Sequence, residues 1–288
     1  MLSRVRILTA AACAFWLVAC AAPQTASSPQ ELIKSGWNEF TLGEFDRAVT
    51  RFDEALAKTT APEELHLQAL YGLATTWNLR RPGEDPEKAR KLFEQIIQLA
   101  PKHDMAVWSQ LALARMKHLV PVGEDPDYNE VRKAYQALID QHPGHLAAKE
   151  AFIYKMSTLI SSLKLSETKQ ALKELEEFVK DPKTPFRGPA YSLMAVGYTT
   201  LGEPEKRLQG EIDSLNNTEI DPANPFNEFA WQYWNIATIA EFECGDFDTA
   251  RIYYQKLITG YPTDKRVFGC KQALRRMDEL EAKIRSEL

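Results

Sequence analysis

The chain has 288 residues, 44% of them hydrophobic and 26% charged, with a formal net charge of −5. This is globular composition with enough apolar material for a large buried interior, and it excludes a disordered chain. A mildly acidic balance without a lysine and arginine stripe gives no electrostatic basis for binding nucleic acid.

At the N-terminus, Arg4 and Arg6 precede an apolar run from Ile7 to Val18. Such a run has the charged and hydrophobic regions of an export signal and is too short to span a bilayer as a helix. It ends in Leu17-Val18-Ala19-Cys20 and resembles a bacterial lipoprotein signal, with residues 1–19 removed and Cys20 as the first residue of the mature protein. The resemblance implies several acyl chains on Cys20, which is what stable anchoring requires. Ala21 in place of Asp then implies the outer membrane, with the protein facing the periplasm. The alternative is an ordinary cleaved signal with a chance cysteine. After Cys20, residues 21–30 are Ala, Pro, Ser, Thr and Gln without hydrophobic periodicity, so residues 20–30 are expected to be the lipidated cysteine and a flexible tether.

A spaced code follows and recurs. Gly43, Phe45, Ala48, Phe52 and Ala55 have a near-copy in Gly245, Phe247, Ala250, Tyr254 and Leu257, closed by Pro262. Between these ends, weaker copies are centred on Ala89, Val131, Ala171 and Arg207, about forty residues apart. The turns Gly83-Glu84-Asp85-Pro86 and Gly123-Glu124-Asp125-Pro126 are the same device used twice, with proline opening the next helix and acids at its positive end. The fourth unit lacks the glycine. The fifth has Arg207, Glu211 and Ser214 where apolar side chains are expected, and the longest irregular connection, residues 216–225, follows it. A bend in the array is expected there.

These offsets resemble the tetratricopeptide repeat family: an aromatic, a leucine and a small residue on a first helix, then glycine, aromatic, alanine, aromatic, alanine and a closing proline. HEAT and armadillo repeats share the period of about forty but not the internal offsets. The resemblance implies an all-α, right-handed α-solenoid of about six helical hairpins over residues 31–263, with residues 264–288 as a polar C-terminal capping helix. Cys244 and Cys270 fall at opposite ends of parallel first helices, offset by about 12 Å along the axis at the helical rise, so two free thiols are expected.

The histidines are scattered; His142 and His145 form the one close pair, in an inter-repeat loop with no cysteine or carboxylate cluster to complete a zinc set. No nucleophile elbow, metalloprotease helix, phosphate loop or dinucleotide fingerprint is present in the sequence. The expectation is a protein without enzymatic activity, cofactor or metal, and with no small-molecule substrate. The family resemblance implies that first helices line a concave groove that grips partner segments. Stepping along those helices places Trp37, Phe40, Tyr71, Leu113, Met116, Met156, Ile160, Leu163, Ile239 and Phe242 in this groove, largely apolar and suited to an apolar helix or strand. The functional expectation is a membrane-anchored scaffold for protein partners of a cell-envelope machine. The alternative class is a cell-wall enzyme or glycan-binding protein with a site between repeats.

Overall fold

The structure, a computed structural model, describes residues 27–79, 82–121, 123–218 and 229–287. The export signal, Cys20 and most of the tether lie outside these residues, as does the greater part of the connection before the sixth unit. Thirteen α-helices and no strand are present among the described residues.

The helices form six hairpins in chain order. They are α1 (Pro29–Thr41) with α2 (Phe45–Leu56), α3 (Glu64–Asn78) with α4 (Pro86–Leu99), and α5 (Asp104–His118) with α6 (Tyr128–Gln141). Then come α7 (Leu146–Ser161) with α8 (Leu165–Phe178), α9 (Arg187–Leu201) with α10 (Pro204–Asn216), and α11 (Ala230–Ile239) with α12 (Phe247–Gly260). A last helix, α13 (Val267–Glu287), covers the end of the stack. Each helix packs on its neighbour in sequence, and successive first helices also touch: α1 on α3, α3 on α5, α5 on α7 and α7 on α9. Successive second helices stand further apart among the described residues and meet through side chains, as where Arg132 of α6 reaches Glu167 of α8. The first helices therefore lie on the inside of the curve and the second helices on the outside.

The boundary of the first hairpin differs from expectation. Ser28 accepts from the Glu31 N–H at 3.3 Å while the Glu31 carboxylate accepts from the Ser28 N–H at 2.7 Å, a capping box that starts α1 at Pro29. The tether thus ends two residues early. In the third hairpin, α6 starts at Tyr128 rather than Pro126, because the Asp127 carboxylate caps the Asn129 and Glu130 N–H groups.

Rings from second helices set the packing between hairpins. Phe52 is fully buried with its edge against Gly36 on α1 and Gly72 on α3, and a Cβ at Gly36 would stand 2.8 Å from that ring. Phe93, Tyr135 and Tyr254 occupy the same offset in the second, third and sixth hairpins and are also buried. The fourth hairpin corrects the sequence alignment: counted from the start of α8, this slot holds Leu172, wedged against Gly197 of α9, and the small slot is Thr168 rather than Ala171.

Histidine caps fasten neighbouring first helices. His103 Nδ1 accepts from the Met105 N–H at 3.1 Å, leaving the Nε2 proton to be donated to Glu64 at 2.6 Å. His145 repeats this one hairpin later, accepting from the Ala147 N–H at 3.0 Å and donating to Asp104 at 2.7 Å. Both ring nitrogens are used, so these histidines are structural joints.

Three departures localise strain and polarity. In five hairpins the turn between the helices carries a glycine at positive φ, from +66° at Gly245 to +94° at Gly123. In the fourth, Leu163 stands in that place with φ 57°, and its side chain is 73% exposed. In the sixth, α11 runs into a π turn, Ala240–Cys244, which inserts a residue and rotates the helical phase by about 100°. That rotation carries Glu241 into the interior, where it accepts from the Tyr254 hydroxyl at 2.8 Å and from Arg276 of α13 at 2.5 and 2.9 Å.

The third departure is a polar seam. Within the fifth hairpin packing is close, Gly210 of α10 lying against Ala195 of α9. Toward α11, however, α10 presents Arg207, which donates to both oxygens of Glu243 at 2.6 and 2.8 Å, and half-buried Glu211. Burial pushes the Glu211 carboxyl above the ordinary glutamate range, with a hydrogen bond from Asn235 and the charge of Arg207 pulling it back. Cys244 and Cys270 are free thiols; burial raises both, Cys270 to about 11.

Two outcomes follow from this geometry. Leu163→Gly is expected to raise the thermal midpoint, stabilising the chain by about 1 kcal/mol as the left-handed strain is removed; an unchanged or lower midpoint would count against strain at that turn. Because the folded chain holds the Glu211 proton more tightly than the unfolded chain, this carboxyl's contribution to stability falls as pH rises from the ordinary glutamate value through the folded one. Chemical unfolding at pH 7 and at about pH 5 should show that loss of stability at the higher pH in the wild type and a smaller one in Glu211→Gln.

Candidate partner-binding surface

The inner surface is built from residues of α3, α5 and α7. Tyr71 and Thr75 come from α3, Arg115 from α5, and Glu150 and Tyr154 from α7; all five are half-buried. The Arg115 guanidinium lies 4.5 Å from the centroid of the Tyr154 ring. The Tyr154 hydroxyl donates to Glu150 at 2.6 Å. Beneath them the buried ring of Tyr135, from α6, sits 5.9 Å from Tyr154, and its hydroxyl shares a 3.1 Å hydrogen bond with His118 Nδ1.

Electrostatics bind these residues into one cluster. Burial raises the Tyr71 phenol to about 12, with Glu150 adding to the rise and Arg115 opposing it. Tyr135 and Tyr154 are raised further, again by burial first. His118 is lowered by burial and then by Arg115, which keeps its ring neutral near pH 7. Arg115 itself makes no ion pair among the described residues: its contacts are the Tyr154 ring and the fields of these neighbours. A second arginine nearby is fully engaged. Arg132 donates to the Thr158 hydroxyl and carbonyl at 2.9 Å each and to Glu167 at 2.7 Å, joining α6 to α7 and α8.

The residues expected in the groove divide. Trp37, Phe40 and Tyr71 are half-buried on first helices, Trp37 and Phe40 packing edge to face with each other and with Phe52 and Phe45. Leu113 and Met116 are half-buried, but against the core of the second hairpin. Met156, Ile160 and Ile239 are corrected: at 0%, 2% and 2% exposure they are core, and no partner reaches them. Leu163 and Phe242 are exposed, at the ends of first helices near the turns, with Arg276 over the Phe242 ring.

The misplacement has a physical cause. Counting from Ser109 and Met156 selects faces turned toward neighbouring helices, whereas the contacts between α5 and α7 run from Trp108 and Arg115 on α5 to His145, which caps α7, and Tyr154 on α7. In the sixth hairpin the π turn breaks the register between Ile239 and Phe242. Sequence reasoning missed Arg115, Glu150 and Tyr154; the i,i+4 spacing of Glu150 and Tyr154 on one helix face was the available signal. Among the described residues no group of three or more His, Cys, Asp or Glu is placed to hold a metal.

Residues 33–104 match the family model described as tetratricopeptide repeat, which supports that assignment for the first two hairpins and the turn into the third. Among solved structures, that of Pseudomonas aeruginosa pilF superposes with a TM-score of 0.49 over 88% of this chain and 97% of its own, at 14% identity. A tetratricopeptide repeat protein from Parabacteroides merdae gives a TM-score of 0.49 over 88% and 86%, at 15% identity. Likeness at this level carries no argument about function. No curated protein matches the chain by sequence.

Met156→Ala is expected to lose about 3 kcal/mol of stability, the cost of a large-to-small change in a closed core. Chemical denaturation measures it; a loss below about 1 kcal/mol would return Met156 to a surface role.

Proposed function

We propose that this protein is a non-catalytic scaffold of the cell envelope, anchored in the outer membrane by lipid on Cys20, facing the periplasm, and gripping protein partners with its inner surface. The observation that carries the binding half of this reading is the cluster around Arg115: a half-buried cation stacked on Tyr154 beside Tyr71 and Glu150, without an ion pair among the described residues. Aromatic and arginine side chains of this kind, rigid and partly desolvated, supply most of the energy in protein interfaces. The tetratricopeptide repeat match at residues 33–104 supports the same class.

Anchoring rests on the sequence: Leu17-Val18-Ala19-Cys20 after a short apolar run is similar to a lipoprotein signal. An envelope machine is the setting that fits an exported, tethered scaffold. Peptidoglycan chemistry has no side-chain constellation in its favour on this surface.

Cys20→Ala tests the anchor. The wild type is expected to sediment with outer-membrane vesicles and to incorporate a clickable palmitate analogue, while the variant does neither. A variant that still sediments with the membrane would remove the lipid from the account.

A further inference from the structure

Resting on the scaffold reading above, we propose that the inner surface between α3 and α7 selects partner segments by one internal acidic side chain, whose carboxylate pairs with Arg115. Its starting point is an imbalance. Most arginines in the described structure are paired with acid: Arg51 with Glu39 and Glu54, Arg90 with Glu87 and Glu94, Arg132 with Glu167, Arg207 with Glu243, Arg251 with Asp278 and Glu281, and Arg276 with Glu241, while Arg187, at the start of α9, is held by Tyr191 and exposed Arg275 by Gln272. Arg115 has no acid partner among the described residues, in a chain of net charge −5.

Its surroundings define what completes it. The guanidinium carbon lies over the Tyr154 ring at 4.5 Å, and an arginine held against an aromatic face keeps a planar N–H fork that can match a carboxylate bidentately. Partial burial weakens competition from water, and the stack on tyrosine holds the fork in place, so less entropy is lost on pairing. Glu150 limits the ligand to a single negative charge. Its Oε1 is taken by the Tyr154 hydroxyl, and its remaining oxygen favours a donor on the same partner segment, a basic or hydroxyl side chain beside the acid. A partner segment that brings a second carboxylate beside the first, such as a C-terminus next to an acidic residue, meets that repulsion. A segment running through the open groove with one acid does not. Tyr71 and Thr75 flank the site on α3, and Trp108 continues the line on α5.

The test is selection of a displayed library of random twelve-residue peptides on the full chain, followed by titration of the best peptides by fluorescence anisotropy. The expected result is enrichment of an internal Asp or Glu next to a basic or hydroxyl residue. Arg115→Gln should then weaken binding by tenfold or more, changing that acid to its amide should weaken wild-type binding by the same factor, and the two changes together should cost no more than either alone. Arg115→Lys should recover part of the affinity, and amidating the peptide's C-terminus should change nothing. Circular dichroism melts of each variant separate folding from binding. Peptides that bind wild type and Arg115→Gln equally, or that fail on C-terminal amidation, overturn the proposal while leaving the scaffold reading intact. A library that yields no peptide for the wild type counts against both.

Discussion

Packing of one bulky side chain, a ring in four of the six second helices, against the first helices beside it is the constraint on which this structure depends. Phe52 shows it most plainly, closed over Gly36 and Gly72 so that neither position has room for a side chain. Insertion of that ring sets the separation of α1 and α3 and the angle between hairpins. Repeated by Phe93, Tyr135, Leu172 and Tyr254, it brings the first helices side by side and leaves the second helices apart. Curvature, and with it an inner surface, follows from where bulky and small residues face each other.

Where the ring is missing, the stack changes character. At the same slot α10 offers Glu211, and the adjoining positions are Arg207 and Ser214, so the junction with the sixth hairpin is made by polar groups and the Arg207–Glu243 pair. A junction of this sort is weaker and more sensitive to conditions than an apolar one, because half-exposed charges contribute little. Beyond it the order is restored by a different device. The π turn buries Glu241, and Tyr254 and Arg276 satisfy it, tying the capping helix to the last hairpin through a single carboxylate.

The fold was legible because the wedge and its slots are coded by spacing: the glycines, aromatics and small residues of the first and last hairpins predict six hairpins and a cap, and all are present. What escaped was register. Ala171 is as buried as Thr168, so composition alone could not choose between them in α8. The groove was half legible. Trp37, Phe40 and Tyr71 lie on the first helices as expected, but an error of one or two residues turns a helical position through 100° or 200° and sends Met156 and Ile160 into the core. Arg115 and Glu150 were passed over because a groove was sought among apolar residues, while its distinguishing feature is a charge. A π turn has no sequence mark that would have moved Ile239 inward and Phe242 outward in advance.

An inner surface that is open, aromatic and charged, opposed to an outer surface of solvated second helices, is the centre of the account. Its most direct test is site-specific photocrosslinking in intact cells, with a photoreactive amino acid at Thr75 or Tyr154 on the inner side and at Lys91 or Lys133 on the exposed outer side. Adducts to discrete protein partners from the two inner positions, with none from the outer two, are what the account predicts. Adducts from the outer positions alone would contradict it.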